Sequence, residues 1–182
     1  EKTHTYRLTV SQSTPPTADQ MEKVNLHIPL KVALYDANGT KQMLQHNGEL
    51  LSDVLNVTEK DQVFEFHGIY GRPIPALLCD FSAPVKLDYD YKTEQLLGLL
   101  KFADNQFIRW DAALMLFTQE LRRNVVRFQQ GEALEISPEI LTALSHVLNH
   151  YEKDIELATL ILTLPKEMEF AEGFKTIAPD GI

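Results

Sequence analysis

The sequence has little of several features that mark particular classes of protein. Its single cysteine, Cys79, excludes an internal disulfide and is compatible with a reducing cytosol, so we expect a cytoplasmic location. No apolar run is long enough to cross a membrane, and no membrane partner is expected. The 26 acidic and 17 basic side chains give a net charge of −9 and are spread evenly over both halves. Without a basic patch, nucleic acid is a poor candidate partner.

Motifs for common catalytic chemistries are also missing. The sequence contains no Gly-rich phosphate loop, no Gly-x-Ser-x-Gly nucleophile elbow and no Cys-x-x-Cys pair. Cys79 ends the apolar run Ala76–Cys79, and no local base or helix N-terminus supports its activation. These features favour a buried structural cysteine, and we predict no catalytic residue in this chain.

His146 and His150 have the four-residue spacing of a helical zinc pair. The zinc-protease motif requires a glutamate directly after the first histidine, to activate the metal-bound water, and this sequence has Val147 there. On a helical wheel both imidazoles lie away from Ile140 and Leu144. We therefore interpret them as two solvent-exposed histidines, and we predict no metal ligand and no bound cofactor in this chain.

In the first half, apolar residues alternate with polar ones, which is the period of half-buried strands. The clearest run occupies the even positions from Val24 to Leu34, where Pro29 indicates an edge strand or a break. Asn38-Gly39 predicts a two-residue hairpin. About seven short strands in about 90 residues predict an antiparallel β-sandwich for residues 1–91.

In the second half, apolar residues recur every three or four positions, which predicts helices with one buried face. The expected helices are Glu94 to about Ala103, 107–130, Pro138 to about His150, Asp154 to Leu162, and one that begins at Pro165. The main stripe of the long helix is Phe107, Trp110, Leu114, Phe117, Leu121, Val125 and Phe128. Ala112, Ala113, Met115, Leu116 and Val126 widen this stripe, which predicts contact with helices on two sides. The helix that follows it should bury Ile140, Leu144, Val147, Leu148 and Tyr151. Short connections predict antiparallel pairs stacked as a solenoid over residues 92–182.

The segment 73–91 joins the two patterns. Prolines at 73, 75 and 84 restrict its backbone, which favours a rigid connection that docks the two domains on each other. Phe81 is expected to be a core or interface anchor. The chain begins at Glu1 without methionine and stops at Ile182, and we expect both ends to be cuts through a longer protein.

Several short segments of this sequence are distinctive. They are Leu26-His-Ile-Pro29, Val54-Leu-Asn-Val-Thr58, Pro75-Ala-Leu-Leu-Cys79, Phe81-Ser-Ala-Pro-Val-Lys-Leu87 and Arg109-Trp-Asp-Ala-Ala113, with the opening Tyr6–Gln12. These segments resemble sequences of the bacterial aminopeptidase N family of zinc-dependent gluzincins. The similarity extends over nearly the whole chain. None of these segments is a catalytic motif.

The resemblance implies a non-catalytic fragment of a peptidase that removes N-terminal residues from peptides. Its partners would be a catalytic domain upstream, which binds the zinc, and the remaining helices downstream. The family's His-Glu-x-x-His and Gly-x-Met-Glu-Asn motifs are absent, so no catalytic or metal residue is carried onto this chain. With its later helices missing, the fragment is expected to self-associate. The alternative is an autonomous protein-binding module without enzymatic activity.

Overall fold

The chain folds as an antiparallel β unit followed by a helical unit, which confirms the predicted fold class. The computed structural model describes residues 4–150, 152, 154–166 and 170. They divide between two compact units, Glu1–Tyr89 and Asp90–Ile182, which are described separately. The strands are β1 (Thr5–Ser11), β2 (Ile28–Tyr35), β3 (Lys41–Gln42), β4 (Gln45–His46), β5 (Glu49–Leu50), β6 (Val54–Val57), β7 (Asp61–His67) and β8 (Ile74–Leu77). The helices are α1 (Thr93–Phe102), α2 (Gln106–Gln129), α3 (Pro138–Asn149) and α4 (Ile155–Ile161).

Strand β2 organises one sheet of the β unit. Its first half, Ile28–Lys31, pairs antiparallel with β6. Its second half pairs with β8 and, at Leu34 and Tyr35, with β3 as well, so both edges are hydrogen-bonded there. Buried side chains on β2 belong to the main apolar core of the unit, together with Phe66 from β7.

Strands β1 and β7 form a second, two-stranded ribbon with an inner and an outer face. They pair antiparallel over their whole length, from Thr5 opposite His67 to Ser11 opposite Asp61. On the inner face, Leu8 and its neighbours pack into the core, as the alternation in β1 predicts. The outer face carries polar side chains, among them Arg7 opposite Glu65.

Two sequence predictions in the β unit are wrong. Strand β2 begins only at Ile28, and the side chains of Val24 and Leu26 are 77% and 49% exposed. The backbone of Leu26 is bound by the Gln12 side chain, whose Oε1 accepts from Leu26 N at 2.8 Å and whose Nε2 donates to Leu26 O at 2.9 Å. A side chain therefore replaces the strand ladder at this position.

Asn38-Gly39 does not form a two-residue hairpin. The loop between β2 and β3 has five residues, because the Asp36 carboxylate accepts hydrogen bonds from the backbone N–H groups of Asn38 and Thr40, both at 2.8 Å. A two-residue turn of this kind occurs instead at Asn47-Gly48, between β4 and β5. Both residues have positive φ, 51° and 85°, as a type I′ turn requires.

The long helix α2 buries part of the predicted apolar surface, centred on Ala112, Ala113 and Leu116, which widen the predicted stripe. Its buried residues are Ile108, Ala112, Ala113, Leu116, Phe117, Glu120 and Val125. Of the predicted stripe, Phe117 and Val125 are confirmed, whereas Phe128 is 48% exposed and the rest are half-buried. Small side chains at Ala112 and Ala113 occupy the centre of the buried face. The larger residues that dominate the periodicity lie on its flanks.

Helices α3 and α4 begin close to the predicted positions. In α3, Ile140 and Val147 are buried, but Leu148 is 53% exposed, contrary to expectation. Asp154 caps α4 as predicted, with its Oδ1 accepting from Leu157 N at 2.9 Å. The expected burial of Tyr151 and most of the helix expected from Pro165 lie outside the described residues. Within the described part of the chain, every helix is too short or too polar to cross a membrane.

The turn from α2 to α3 is held by a polar clamp of three α2 side chains. Asn124 exchanges hydrogen bonds with the backbone of Glu135, at 2.7 and 2.9 Å, and Arg127 Nε donates to Ala133 O at 2.6 Å. The third member is Glu120, a buried carboxylate.

Glu120 accepts hydrogen bonds from both the backbone N–H and the hydroxyl of Ser137, each at 2.9 Å, and from Arg123. Burial opposes the charge on Glu120. The hydrogen bonds from Arg123 and Ser137 outweigh that effect, so the pKa of Glu120 lies below its ordinary value. The negative charge thus sits at the first turn of α3, where the helix dipole favours it.

We expect Glu120→Ala to lower the free energy of unfolding by about 1–3 kcal/mol, because Ser137 N–H and Arg123 lose a charged acceptor. Urea denaturation measures the loss. Glu156→Ala, which removes an exposed acid from α4, is the matched control and should change stability by less than about 0.5 kcal/mol. Equal losses of stability in the two variants would contradict the stabilising role assigned to Glu120.

The contribution of Glu120 should also depend on pH with a defined sign. Since its pKa is lower in the folded than in the unfolded state, the stabilisation is fully present above the unfolded pKa. It disappears as the pH falls through the folded pKa. The difference in stability between the native chain and Glu120→Gln should therefore be constant near neutral pH and shrink on acidification.

Candidate functional site

The two histidines singled out by their spacing line a cavity in the helical unit. The cavity has a volume of about 170 Å³ and is lined by Lys101, Arg109, His146, Val147, His150, Asp154, Leu157, Ala158 and Ile161. The imidazole rings of His146 and His150 lie 4.2 Å apart, and His150 Nδ1 is 2.8 Å from His146 O. His150 is exposed but His146 is half-buried, so the prediction of two solvent-exposed histidines is wrong for His146.

Two charged groups of this cavity, Arg109 and Asp154, are hydrogen-bonded to other parts of the helical unit. Arg109 Nε donates to Leu100 O at 3.0 Å, and Asp154 Oδ2 accepts from Gln106 Nε2 at 2.6 Å. Burial lowers the pKa of Arg109, and the nearby charge of Asp154 opposes this shift. Among the described residues, no third metal-ligating side chain completes a set with the two histidines. The cavity therefore shows neither a catalytic constellation nor a three-ligand metal site.

Cys79 is buried, as the sequence predicts, with 3% of its surface exposed. It begins a single 3-10 turn, Cys79–Phe81, in which Asp80 and Phe81 have positive φ, at 56° and 51°. Leu78, just before the turn, has a φ of 65°. Three non-glycine residues with positive φ within four positions are unusual. Phe81 is 53% exposed, so its predicted role as a core anchor is wrong.

One group of metal-ligating side chains does converge, in the β unit. His46, Glu65 and His67 each offer a ligand atom, and these atoms all lie within 4.8 Å of one another. All three residues are half-buried. The rings of His46 and His67 have centroids 4.4 Å apart and are tilted by 33°. We refer to these three residues as the histidine–glutamate cluster.

The strand period and one turn assemble this cluster. Glu65 and His67 are two residues apart on β7, so both project from the outer face of the β1–β7 ribbon. Strand β4 lies against β7 and brings His46 to the same face. Glu65 Oε1 also pairs with Nε of Arg7, its cross-strand neighbour, at 2.5 Å.

Sequence reasoning missed the cluster, although part of its signal was present. The alternation in β7 already places Glu65 and His67 on one face. Asn47-Gly48, directly after His46, is the turn that folds the β4–β5 hairpin. The contact between that hairpin and β7 could not be predicted from the sequence, because it is a tertiary contact.

Comparisons with known proteins account for nearly every residue of the chain. Residues 1–90 match a domain of unknown function (DUF3458) with an Ig-like fold, and residues 93–182 match DUF3458_C, described as ARM repeats. The chain is 97% identical over 182 residues to aminopeptidase N of Haemophilus influenzae, and 46% identical over 181 residues to that of Escherichia coli. This chain belongs to the aminopeptidase N family.

The chain spans only part of its aminopeptidase relatives. It covers 21% of the length of both aminopeptidase N sequences. The crystal structure of Legionella pneumophila aminopeptidase A in complex with aspartic acid matches with a TM-score of 0.74 and 26% identity, over 97% of this chain and 19% of that one. The Ig-like and ARM-repeat matches agree with the sandwich and solenoid predicted from periodicity.

Gly68 lies close to the side-chain amide of Gln45 in β4, and substitution tests whether this contact matters. Gly68 has φ +74°, and an added Cβ would lie 2.4 Å from Gln45 Nε2 in β4. Gly71 has a similar φ of +76° but open space around the added Cβ, so it is a matched control. We expect Gly71→Ala to lower stability by about 1–2 kcal/mol through backbone strain alone.

Gly68→Ala should cost slightly more than Gly71→Ala, because the end of the flexible Gln45 side chain must move as well. Thermal or urea denaturation of both variants measures the difference. Equal losses would show that the hairpin does not depend on close approach at Gly68.

Proposed function

We propose that this chain is a non-catalytic structural part of an aminopeptidase that removes N-terminal residues from peptides. The observation that carries the proposal is similarity over the whole chain to proteins called aminopeptidase N, of which the chain covers 21%. In this proposal the Ig-like unit links the catalytic domain of the parent enzyme to its helical domain.

The catalytic machinery of the parent enzyme is proposed to lie outside these 182 residues. None of the six histidines is followed by glutamate, so the chain contains no His-Glu-x-x-His motif. That motif, with a distant glutamate, would hold the catalytic zinc in the parent, where the glutamate of the motif activates a zinc-bound water. We also propose a cytoplasmic location, in keeping with the single reduced and buried Cys79.

The helical unit supports a structural rather than a chemical role. The polar side chains at its α2–α3 turn, Glu120, Asn124 and Arg127, are bonded to backbone groups of that turn. The charged groups at its cavity, Arg109 and Asp154, likewise bind groups of the unit itself. These side chains fix helix positions and leave no paired nucleophile and base among them.

The chain alone should not hydrolyse an alanyl chromogenic substrate above the blank rate, because the residues that activate water belong to the rest of the parent enzyme. The full-length aminopeptidase is the positive control under identical conditions. Turnover by the purified chain that survives a further chromatographic step and scales with its concentration would overturn the proposal.

Exposed apolar side chains on the helices favour, as a second candidate function, a protein-binding module. Exposed large apolar residues of the helical unit are Val126, Phe128, Leu134, Ile136, Leu141, Leu148, Ile155, Leu160 and Leu164. In the aminopeptidase we propose that further helices of the parent chain cover part of this surface, because helical repeats bury their apolar faces against neighbouring repeats. A module that acts alone would instead offer the surface to another protein.

The isolated chain should self-associate through its helical unit, because a second copy can cover this apolar surface. Light scattering over a concentration series should show a growing mass. Leu148→Glu, at a residue 53% exposed on α3, should weaken the association. Met21→Glu, at a residue 73% exposed in the β unit, should leave it unchanged. A strictly monomeric chain at the highest concentration would contradict this expectation.

A further inference from the structure

We propose that the histidine–glutamate cluster binds one divalent transition-metal ion, which fastens the β4–β5 hairpin to the outer face of β7. This inference revises the sequence-based expectation that the chain holds no metal ligand. The ligand atoms lie within 4.8 Å of one another. Ligands about 2.1 Å from a tetrahedral ion are about 3.4 Å apart, so side-chain movements of about an ångström would close the site.

His46 is already oriented as a metal ligand. Its Nδ1 is 3.3 Å from the backbone carbonyl oxygen of Glu65. Because a carbonyl can only accept, this contact places the imidazole proton on Nδ1 and leaves the lone pair on Nε2 free. Ligating histidines in metal sites are commonly oriented in this way, by a hydrogen bond from the other ring nitrogen.

His67 must exchange one hydrogen bond to bind the ion. Its Nδ1 accepts from the backbone N–H of Asn47 at 3.1 Å, so the neutral ring carries its proton on Nε2. A metal at Nδ1 would replace that N–H, and a metal at Nε2 would require the other tautomer. Asn47 is exposed in the hairpin turn, so a water molecule can accept the hydrogen bond from its backbone N–H. Metal binding is therefore coupled to the conformation of this turn.

Glu65 supplies the anionic ligand. Its Oε1 pairs with Arg7 Nε at 2.5 Å, and the second carboxylate oxygen remains for the ion. The Arg7 side chain is 71% exposed, so its pairing with Glu65 is a solvent-screened surface interaction that an ion can compete with. Arg7 also fixes the direction of the carboxylate on the ribbon face.

The ligand set selects the chemical class of the ion. Two imidazole nitrogens and one carboxylate oxygen suit Zn²⁺, Co²⁺, Ni²⁺ or Cu²⁺. Ca²⁺ and Mg²⁺ prefer all-oxygen sets, so neither should compete. Since the three residues are half-buried, the remaining coordination positions would be filled by water.

A test must separate this cluster from the helical pair His146 and His150, whose rings are also close. The background variant is therefore His146→Gln with His150→Gln. Isothermal titration of this 182-residue variant with ZnCl₂ should give about one equivalent of bound ion. Adding His67→Gln or His46→Gln should weaken binding at least tenfold.

His27→Gln is the matched control, because His27 is a histidine of the same unit that lies outside the cluster and contacts Asn56. This variant should retain full zinc affinity, and circular dichroism of each variant checks its fold. Binding that is unchanged by both cluster variants, or lost equally in His27→Gln, would overturn the proposal.

Two measurements on the unaltered chain keep the proposal testable if a variant is unstable. Free zinc at a hundred times its dissociation constant should raise the melting temperature by about 5–10 °C, whereas Mg²⁺ should not. Substoichiometric Co²⁺ should broaden the amide resonances of His46, Asn47 and His67 first. Broadening confined to the region around His146 and His150 would refute the site.

Discussion

The β unit depends on the register of β2. Its second half is hydrogen-bonded on both edges, by β3 and β8, while its first half pairs with β6. A slip by one residue would turn Leu30, Val32 and Leu34 away from the core, because side chains alternate along a strand. Three partner strands, two of them far along the sequence, make such a slip costly. The core against which the β1–β7 ribbon packs therefore exists in one arrangement.

Most of the order and type of the elements could be predicted from the sequence, because hydrophobic period is a local property. Alternation in β1 and the Ser137-Pro138 start of α3 predicted their elements well. The two errors in the strands of the β unit have a shared cause, which is a side chain that competes with regular backbone pairing. Gln12 binds the backbone of Leu26, and Asp36 closes a five-residue loop. Neither competition is visible in a pattern of apolar residues.

The histidine–glutamate cluster could be predicted only in part from the sequence. Glu65 and His67 could be placed on one strand face, but His46 lies 19 residues before Glu65 along the chain. Its position depends on the Asn47-Gly48 turn and on the packing of β4 against β7. By contrast, the pair that did have a recognisable spacing, His146 and His150, has no third ligand among the described residues. Spacing within one helix identifies pairs of possible ligands. The fold can also bring together ligands that belong to no sequence motif.

The polar clamp at the α2–α3 turn has a geometric consequence for the helices beyond it. In a repeat array each unit contacts only its neighbours, so the angle at one turn sets the direction of everything that follows. Asn124 and Arg127 bind the turn backbone directly, and Glu120 fixes Ser137, the residue just before α3. A small rotation at this turn would displace the helices that follow by an amount that grows with their distance from the turn. Three polar side chains thus help to set the direction of α3, together with the contacts of α3 with α1.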